Sequence, residues 1–339
     1  MEPIRVLIAD DSALARELII SILSMDKQLR VVGEARDGKE AVEKTRDLKP
    51  DIITMDIEMP VMTGIEAIEH IMAENAVPIL VVTSRSDAHT AYTAVSKGAL
   101  DLVPKPEVSL DCAHEFTRKV KLVSQIKVIT HMRRHILREH AVAPVSPQAV
   151  PAHSNKIIAI ASSTGGPHAL SGILSRLPET FPCPVVIAQH IPDGFVKGLA
   201  DWLGKSLKLR LKVAEQGEPL SPGRIYLAPS ESHMEVAGGR ISFVERRPDD
   251  IYHPSCDILL SSVAREYGGR GIGIILTGMG SDGAMGMKKI KEAGGVTIAQ
   301  DEETSVVFGM NKVAIDSGGA DRVLALERIG PELIRLASA

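Results

Sequence analysis

Aromatic side chains are scarce in this chain, and it has no excess of positive charge. Phe, Trp and Tyr make up 3% of its 339 residues, and the formal net charge is −4 at pH 7. Proteins that bind single-stranded nucleic acid stack its bases on aromatic side chains, and dedicated nucleic-acid binders present basic surfaces. We therefore expect no nucleic-acid partner.

Long apolar runs and paired cysteines are missing as well. No apolar run in the sequence approaches the roughly 20 residues of a membrane span, so we expect no direct membrane insertion. Cys112, Cys183 and Cys256 are odd in number and show no metal-ligand spacing, which favours a reducing compartment. The N-terminus shows neither the basic start nor the cleavage site of a signal peptide. These features together predict a cytoplasmic protein.

The residues that are present suffice for about two packed domains, since 44% of them are hydrophobic. Residues 4–106 alternate between short apolar runs and segments of helical period, which predicts an α/β domain with a doubly wound, five-stranded parallel sheet. We assign residues 1–120 to this domain. Its predicted strands lie near 4–9, 30–34, 51–55, 78–83 and 100–104, and its helices near 13–25, 38–47, 64–73 and 88–97.

A basic amphipathic segment and a Pro-rich segment follow. An apolar stripe predicts one helix over residues 114–138, and its basic face is best interpreted as solvated charge on a last domain helix that runs into a linker. A helix that binds nucleic acid or a membrane surface is the less favoured alternative. Residues 141–155 are rich in Pro, Ala and Ser, which is typical of an extended linker. We assign residues 121–154 to a helical and Pro-rich linker.

Residues 155–339 predict a second domain, of three-layer α/β architecture with a mostly parallel sheet. A Gly238–Gly239 pair separates two short strand-like runs, which predicts a hairpin over 234–236 and 241–244. The other predicted strands lie near 156–161, 184–189, 224–228, 272–277, 296–300 and 322–326, and the helices near 168–177, 194–204, 255–267, 284–293 and 327–337.

Polar residues directly follow the apolar runs of the first domain. Parallel strands end at one edge of their sheet, so these side chains should converge there. Clustered carboxylates repel one another unless a cation intervenes, and oxygen ligands suit Mg²⁺. A carboxylate at such an edge can attack a phosphoryl group. The predicted metal ligands are Asp10, Asp11, Asp56 and Glu58, Asp56 is the predicted phosphoryl acceptor, and Thr83 and Lys105 are predicted to contact the phosphoryl oxygens.

These residues also resemble a known family. The segments DDS at 10–12 and MDIEMP at 55–60, with Gly64, Thr83 and Lys105–Pro106, resemble the receiver domain of two-component response regulators. The resemblance implies that a histidine kinase is the phosphodonor and that Mg²⁺ is required. Two positions depart from the pattern: Thr63 stands where receivers commonly carry Asp, and Leu102 where they carry an aromatic switch residue.

The second domain places a hydroxyl, an imidazole and a carboxylate after three of its predicted strands. Ser162 and Ser163 open a glycine-rich turn, His190 follows the run 185–189, and Asp282 lies in the turn after 272–277. These are the groups that nucleophilic acyl transfer needs. Local chemistry leaves either serine open as the nucleophile. His233 and the run 253–257 are competing candidates, although we interpret His233 as a hairpin-strand residue and Ser255 with Asp257 as a helix N-terminus.

The same residues lie in segments that resemble the catalytic domain of the chemotaxis protein-glutamate methylesterase family. The matching segments are SSTGGP at 162–167, QHIP at 189–192, LTGMGSDGA at 276–284, TIAQDE at 297–302 and VVFGM at 306–310. The resemblance implies that Ser163 is the nucleophile, His190 the base and Asp282 the group that orients it. It also implies oxyanion donors in the backbone at Thr164 and Met279.

The implied activity is hydrolysis of glutamate γ-methyl esters on chemoreceptors, with deamidation of their glutamines and no cofactor for the hydrolysis. The resemblance further implies that the unphosphorylated receiver restrains the catalytic domain. Three segments depart from the family: Ala161–Ser163, Ser281 where Asn is common, and Tyr252–Ser255 where His-Arg-Pro-Ser is typical. A phospho-switched binding module, or a hydrolase acting on a partner other than a chemoreceptor, is the alternative. A DNA-binding regulator is less favoured, since no basic recognition helix is evident.

Overall fold

The computed structural model describes residues 2–84, 88–106, 109–126, 128, 154–247 and 249–338. The contacts of the chain divide it into two units, Met1–Ala143 and Pro144–Ala339, and each is described by itself. The predicted boundaries at 120 and 154 stay predictions, because residues 129–153 lie outside the described part. Among the described residues, no helix is both long enough and apolar enough to cross a membrane.

The N-terminal unit is a five-stranded parallel sheet in the order β2-β1-β3-β4-β5. Apolar runs form its strands, and helices fill the crossovers, as the doubly wound prediction requires. The strands are β1 (Ile4–Ala9), β2 (Leu29–Ala35), β3 (Ile52–Met55), β4 (Ile79–Thr83) and β5 (Asp101–Pro104), and the helices are α1 (Ala13–Ser24), α2 (Gly38–Leu48), α3 (Gly64–Glu74), α4 (Ala88–Lys97) and α5 (Leu110–Ser124).

Side-chain caps fix where these helices start. Thr63 and Glu66 form a reciprocal capping box at the start of α3, in which the Thr63 hydroxyl accepts the Glu66 N–H and the Glu66 carboxylate accepts the Thr63 N–H. Thr63 therefore performs the capping role that Asp also performs, which explains how this departure from the receiver pattern is tolerated.

The predicted helix 114–138 is wrong at both ends within the described residues. Helix α5 begins four residues earlier, where the Ser109 hydroxyl caps it by accepting the Cys112 N–H, and it ends at Ser124. Gln125 is the C-cap. Residues 127 and 129–138 of the prediction, with most of the linker 141–155, lie outside the described residues.

The C-terminal unit contains a seven-stranded sheet in the order β14-β13-β12-β6-β7-β9-β8, in which every neighbouring pair is parallel. The strands are β6 (Ile157–Ser162), β7 (Val185–Gln189), β8 (Arg210–Val213), β9 (Arg224–Leu227), β12 (Gly271–Ile275), β13 (Val296–Gln300) and β14 (Arg322–Leu324), and a separate antiparallel hairpin is formed by β10 (Ser232–Ala237) and β11 (Arg240–Glu245).

Helices cover both faces of this sheet. They are α6 (Gly166–Leu174), α7 (Val196–Gly204), α8 (Cys256–Tyr267), α9 (Ala284–Glu292), α10 (Met310–Asp316) and α11 (Leu326–Ser338), with a 3₁₀ turn at Gly268–Arg270. Helices α8, α9 and α10 pack with the hairpin in one core, whereas α6 contacts α7 and α11. Strand β8 and helix α10 were not predicted from the sequence.

The strand order of this sheet indicates where a functional site should lie. Strand β6 lies in the middle of the sheet, with β7 on one side and β12 on the other. The chain leaves β6 towards β7, β9 and β8, and the later strands build outward from β12. The order therefore reverses between β6 and β12, and parallel sheets bind ligands at the carboxyl ends of strands at such a reversal.

Close packing of α8 against α9 depends on Gly286. A Cβ at this position would lie 2.5 Å from the Leu260 Cβ, and the Gly286 N–H donates to Asp257 Oδ1 at 2.7 Å. The missing side chain thus lets α9 approach the first turns of α8.

We predict that Gly286→Ala lowers the free energy of unfolding of this unit by about 1–3 kcal/mol, because the added methyl group would clash with the Leu260 Cβ. Urea denaturation of the full-length protein measures the change. Gly204→Ala is the matched control, since Gly204 ends a helix of the same unit with no atom within 4 Å of an added Cβ. That control should be neutral or stabilising, and an equal loss in both variants would contradict the prediction.

Candidate functional site

Three carboxylates and one ammonium group meet at the edge of the N-terminal sheet. Asp10 and Asp56 directly follow β1 and β3 and are buried, while Asp11 is exposed. One carboxylate oxygen from each of the three residues lies within 4.8 Å of the other two. The Lys105 Nζ, beyond the end of β5, lies 2.8 Å from Asp10 Oδ2 and 2.8 Å from Asp56 Oδ2. The structure thus brings together the residues predicted from three strand ends.

The charges in this cluster are only partly balanced. Burial raises the pKa of Asp56, and the nearby Asp10 carboxylate adds to the rise, although the hydrogen bond from Lys105 opposes it. Burial lowers the pKa of Lys105, but hydrogen bonds to Asp10 and Asp56 outweigh that effect and raise it overall. An oxygen-rich set with surplus negative charge fits a hard divalent cation such as Mg²⁺.

Thr83 and Glu58 take different places around the cluster. Thr83 ends β4, and its buried hydroxyl has no hydrogen-bond partner among the described residues. Such a group is available to a ligand. The Glu58 side chain is exposed, and its carboxylate is not part of the three-carboxylate group. Glu58 instead helps to line a neighbouring cavity with Met59 and Thr63.

In the C-terminal unit, the last residue pair of β6 and β7 is Ser162 and Gln189. Ser163 and His190 therefore follow directly after neighbouring strand ends, and the His190 N–H donates to the Ser162 carbonyl at 2.9 Å. The His190 Nε2 lies 2.8 Å from Asp282 Oδ2. The structure thus places the predicted nucleophile and base directly after the neighbouring strands β6 and β7, and the predicted orienting carboxylate in the turn between β12 and α9.

The Asp282 carboxylate sits at the N-terminus of α8. Its oxygens accept the Cys256 N–H at 2.6 Å, the Asp257 N–H at 2.9 Å and the Ser255 Oγ–H at 3.1 Å. Burial raises the pKa of Asp282, but the hydrogen bond from His190 and those from the helix N–H groups outweigh burial and lower it overall. The helix dipole acts in the same direction. Asp282 is therefore an ionised acceptor that fixes the His190 ring through Nε2.

The two adjacent serines have different surroundings. The Ser162 side chain is fully buried and donates to Gln189 Oε1 at 2.7 Å. The Gln189 Nε2 in turn donates to the carbonyls of Ser163 and His190, at 2.9 and 2.8 Å. Ser162 thus belongs to a buried hydrogen-bond network that shapes the turn. The local sequence alone did not distinguish Ser162 from Ser163. Ser163 retains 8% exposure.

Glycines let two loops approach at Ser163. A Cβ on Gly278 would lie 2.7 Å from the Ser163 Cβ, and one on Gly166 would lie 2.0 Å from Gln189 Oε1. The Thr277 Oγ1 donates to the Thr164 carbonyl at 2.9 Å, which ties the loop of Thr164 to the loop that continues to Met279. The roles of Thr164 and Met279 as oxyanion donors stay predictions.

Two contacts to His190 were not predicted from the sequence. The Tyr252 ring stacks on the His190 ring, with centroids 5.0 Å apart and planes 14° apart. The Cys256 Sγ lies 3.5 Å from His190 Nε2. Burial and the charge of Asp282 raise the pKa of Cys256 well above its usual range, so it stays a neutral thiol. The only sequence signal for Tyr252 is its place in a segment that departs from the family pattern.

The competing candidates also have defined places. His233 lies in β10, as its interpretation as a hairpin-strand residue requires. Ser255 is the N-cap of α8, where its hydroxyl accepts the Ile258 N–H, and Asp257 lies in the first turn. Burial raises the pKa of Asp257, and the N–H of Gly286 opposes that rise.

Both units of the chain match known protein families. Residues 6–113 match the response regulator receiver domain, and residues 158–333 match the CheB methylesterase family. The chain is therefore a response regulator that consists of an N-terminal receiver domain and a C-terminal methylesterase domain. It belongs to the CheB methylesterase family, which confirms the resemblance found in the sequence and the predicted fold class.

Individual relatives align over nearly the whole chain. A protein-glutamate methylesterase/protein-glutamine glutaminase of Paramagnetospirillum magneticum is 47% identical over 99% of this chain and 97% of its own. One of Thermotoga maritima is 40% identical over 98% of each chain. The crystal structure of the Thermotoga maritima CheB methylesterase catalytic domain is similar with 44% identity and a TM-score of 0.51, covering 54% of this chain and 99% of that one.

The lowered pKa of Asp282 predicts a pH-dependent contribution to stability. An acid whose pKa is lower in the folded state stabilises that state above its unfolded pKa, which is 3.8 for a model Asp. The contribution is lost as the pH falls towards the folded pKa. We expect the difference in unfolding free energy between wild type and Asp282→Asn to be constant above about pH 5 and to shrink below it. Urea denaturation at several pH values measures it, and a difference that grows on acidification would contradict this assignment.

Proposed function

We propose that this protein hydrolyses glutamate γ-methyl esters on chemoreceptors, and deamidates receptor glutamines, under the control of phosphorylation at Asp56. The observation that carries the proposal is the 2.8 Å contact between His190 Nε2 and Asp282 Oδ2, with His190 at the strand end next to that of Ser163. Family membership supports the substrate class. A cytoplasmic location and the absence of a nucleic-acid partner remain predictions.

The hydrogen bond to Asp282 determines which nitrogen of His190 acts as the base in acylation. Nε2 of His190 donates to Asp282, so Nδ1 takes the proton from Ser163 Oγ as that oxygen attacks the ester carbonyl. The ionised Asp282 stabilises the imidazolium that results. Backbone N–H groups at Thr164 and Met279 receive the oxyanion. Collapse of the tetrahedral intermediate passes the His190 proton to the leaving methoxy oxygen, and methanol departs.

In deacylation, water is the nucleophile and Ser163 Oγ is the leaving group. His190 Nδ1 takes a proton from water, the hydroxide attacks the glutamyl-serine ester, and the proton returns to Ser163 Oγ as the free carboxylate leaves. A glutamine amide follows the same path with ammonia in place of methanol. Every step uses side chains and backbone of this chain together with water, so the proposed hydrolysis needs no cofactor.

The N-terminal unit supplies the control. The Asp56 carboxylate accepts the phosphoryl group of a histidine kinase, Lys105 pairs with one phosphoryl oxygen and Thr83 donates to another. Asp10, Asp11 and Asp56 would hold Mg²⁺, and the bound ion would offset negative charge on the phosphoryl group. Glu58 is a weaker candidate ligand, because its carboxylate lies outside the cluster. Leu102 is 4% exposed and aliphatic, so switching through an aromatic ring at that position is not part of this proposal.

Alanine substitutions should distinguish the two serines. Ser163→Ala should reduce methanol release from methylated receptor by on the order of 10⁴-fold or more, since the nucleophile is gone. Ser162→Ala is the matched control: it leaves a buried Gln189 acceptor unpaired, which costs about 1–3 kcal/mol of stability but spares the nucleophile. Loss of activity in Ser162→Ala with retention in Ser163→Ala would assign the nucleophile to the other serine.

Phosphorylation at Asp56 should increase the rate of hydrolysis. A small-molecule phosphodonor with Mg²⁺ should raise methanol release by the wild type, whereas Asp56→Asn should keep the basal rate and lose the rise. An isolated fragment 155–339 should exceed the unphosphorylated full-length rate if the receiver restrains catalysis. Equal rates for fragment and full-length protein would rule out restraint. A wild type that is phosphorylated at Asp56 yet releases no methanol would favour the alternative, a phospho-switched hydrolase or binding module with another partner.

A further inference from the structure

A second Asp–His pair lies outside the residues that the proposed mechanism uses. His233 is 1% exposed, and its Nε2 lies 2.8 Å from Asp250 Oδ2. The same Asp250 oxygen accepts the Arg247 N–H at 2.7 Å, in the segment between β11 and α8. The hydrogen bond from His233 holds the pKa of Asp250 below its usual range. The pair is thus an ionised carboxylate facing a buried imidazole.

The protonation state of the His233 ring follows from its other neighbour. The Ser255 N–H donates to His233 Nδ1 at 2.9 Å. A backbone N–H is only a donor, so Nδ1 has to be an unprotonated acceptor. Nε2 then carries the proton and donates it to Asp250. Asp250 therefore selects the ring tautomer that can hold the Ser255 peptide.

Ser255 connects this pair to the catalytic carboxylate. Its hydroxyl donates to Asp282 Oδ1 at 3.1 Å, and as N-cap of α8 it precedes the two N–H groups, of Cys256 and Asp257, that also donate to Asp282. A continuous set of hydrogen bonds thus runs from Asp250 through His233 and Ser255 to Asp282 and on to His190.

We propose that His233 and Asp250 are positioning residues for the hydrolytic reaction. The neutral His233 ring fixes the Ser255 peptide, and the fixed peptide directs the Ser255 hydroxyl and the first N–H groups of α8 at Asp282. Misplacement of a reacting group by about 1 Å can cost on the order of 10²-fold in rate. This inference rests on the proposed function, because it assigns His190 and Asp282 to catalysis.

A purely structural role for His233 would be to fasten the hairpin to α8. The chain contains a second bond with that role: the Val236 N–H donates to Ser262 Oγ at 2.9 Å. Ser262 is buried in the middle of α8 and donates to the Leu259 carbonyl. Ser262→Ala therefore weakens the attachment of the hairpin without touching Ser255 or Asp282, and it serves as the matched control.

Two His233 substitutions separate the two nitrogens of the ring. In His233→Asn, the amide oxygen replaces Nδ1, so the acceptor for the Ser255 N–H is kept and the contact with Asp250 is lost. In His233→Gln, the longer amide reaches Asp250, but the acceptor for Ser255 is lost. Both variants remove an imidazole from the same buried site, so they share the general cost of that loss.

The experiment measures kcat and KM for methanol release from methylated receptor, and Tm, in the full-length variants. We expect His233→Gln to lower kcat by roughly 10- to 100-fold with little change in KM. His233→Asn should recover most of that loss, and Ser262→Ala should lower Tm while kcat stays near the wild-type value. A Ser262→Ala variant as slow as His233→Gln, or a His233→Asn variant with no recovery, would overturn the proposal.

A readout without substrate keeps this inference separate from the proposed function. The imidazole ¹⁵N and ¹H signals of His190 report its Nε2–H bond to Asp282. His233→Gln should shift these signals, and Ser262→Ala should leave them in place. Unshifted His190 signals in His233→Gln would refute the proposed coupling even if its rate were low. If wild type releases no methanol, the proposed function fails, while the same signals still decide whether His233 positions Asp282.

Discussion

A negative charge held in a buried position is the constraint on which the C-terminal unit depends. An isolated ionised carboxylate cannot leave water without a large cost in free energy. Asp282 meets that cost with hydrogen bonds from the Ser255 hydroxyl, two N–H groups of α8 and His190. The start of α8 therefore has to lie at the carboxyl end of β12. The Gly286 N–H, which donates to Asp257, and His233, which accepts the Ser255 N–H, both contact that start of α8.

The pKa of the buried Asp56 carboxylate in the N-terminal unit is shifted in the opposite direction. Lys105 contacts both Asp10 and Asp56, but one ammonium group does not balance three carboxylates, and the pKa of Asp56 is raised. In Asp282 the compensating groups outweigh burial, and the pKa is lowered. The contrast agrees with the proposed roles: a carboxylate that orients a histidine stays charged throughout, whereas an acceptor of phosphoryl groups benefits from surplus charge that draws a cation.

The sequence was informative where function coincides with strand ends. Apolar runs mark the strands, and the residues after each run lie at the sheet edge, so Asp10, Asp56, the Ser162–Ser163 pair and His190 could be placed there without coordinates. Adjacent residues were harder to separate. Ser162 differs from Ser163 in its complete burial and in its side-chain hydrogen bond to the Gln189 amide, and no local sequence pattern encodes either difference. Glu58, two residues from Asp56, has an exposed side chain outside the cluster. The end of α5 at Ser124 carries no Gly or Pro signal, so the apolar stripe suggested a longer helix.

Contacts between distant segments were beyond the sequence for a different reason. The stacking of Tyr252 on His190 and the bond from Ser255 to His233 join positions that lie far apart along the chain. Such contacts depend on where the hairpin and the segment before α8 pack. Periodicity predicts each element, but it does not predict which loop of one element meets which side chain of another.

The capping residue Thr63 has a consequence for the approach of ligands to Asp56. It preserves the start of α3 while the loop carries one negative charge fewer than receivers with Asp at this position. Gly64, the residue after Thr63, lies against the backbone of Asp56, since a Cβ on Gly64 would lie 1.9 Å from the Asp56 carbonyl oxygen. A charge at position 63 would therefore act within the Debye length of about 8 Å at physiological ionic strength. Its absence makes the local potential less repulsive to anions, which favours the diffusional encounter with phosphorylated donors and weakens the long-range attraction for a dication.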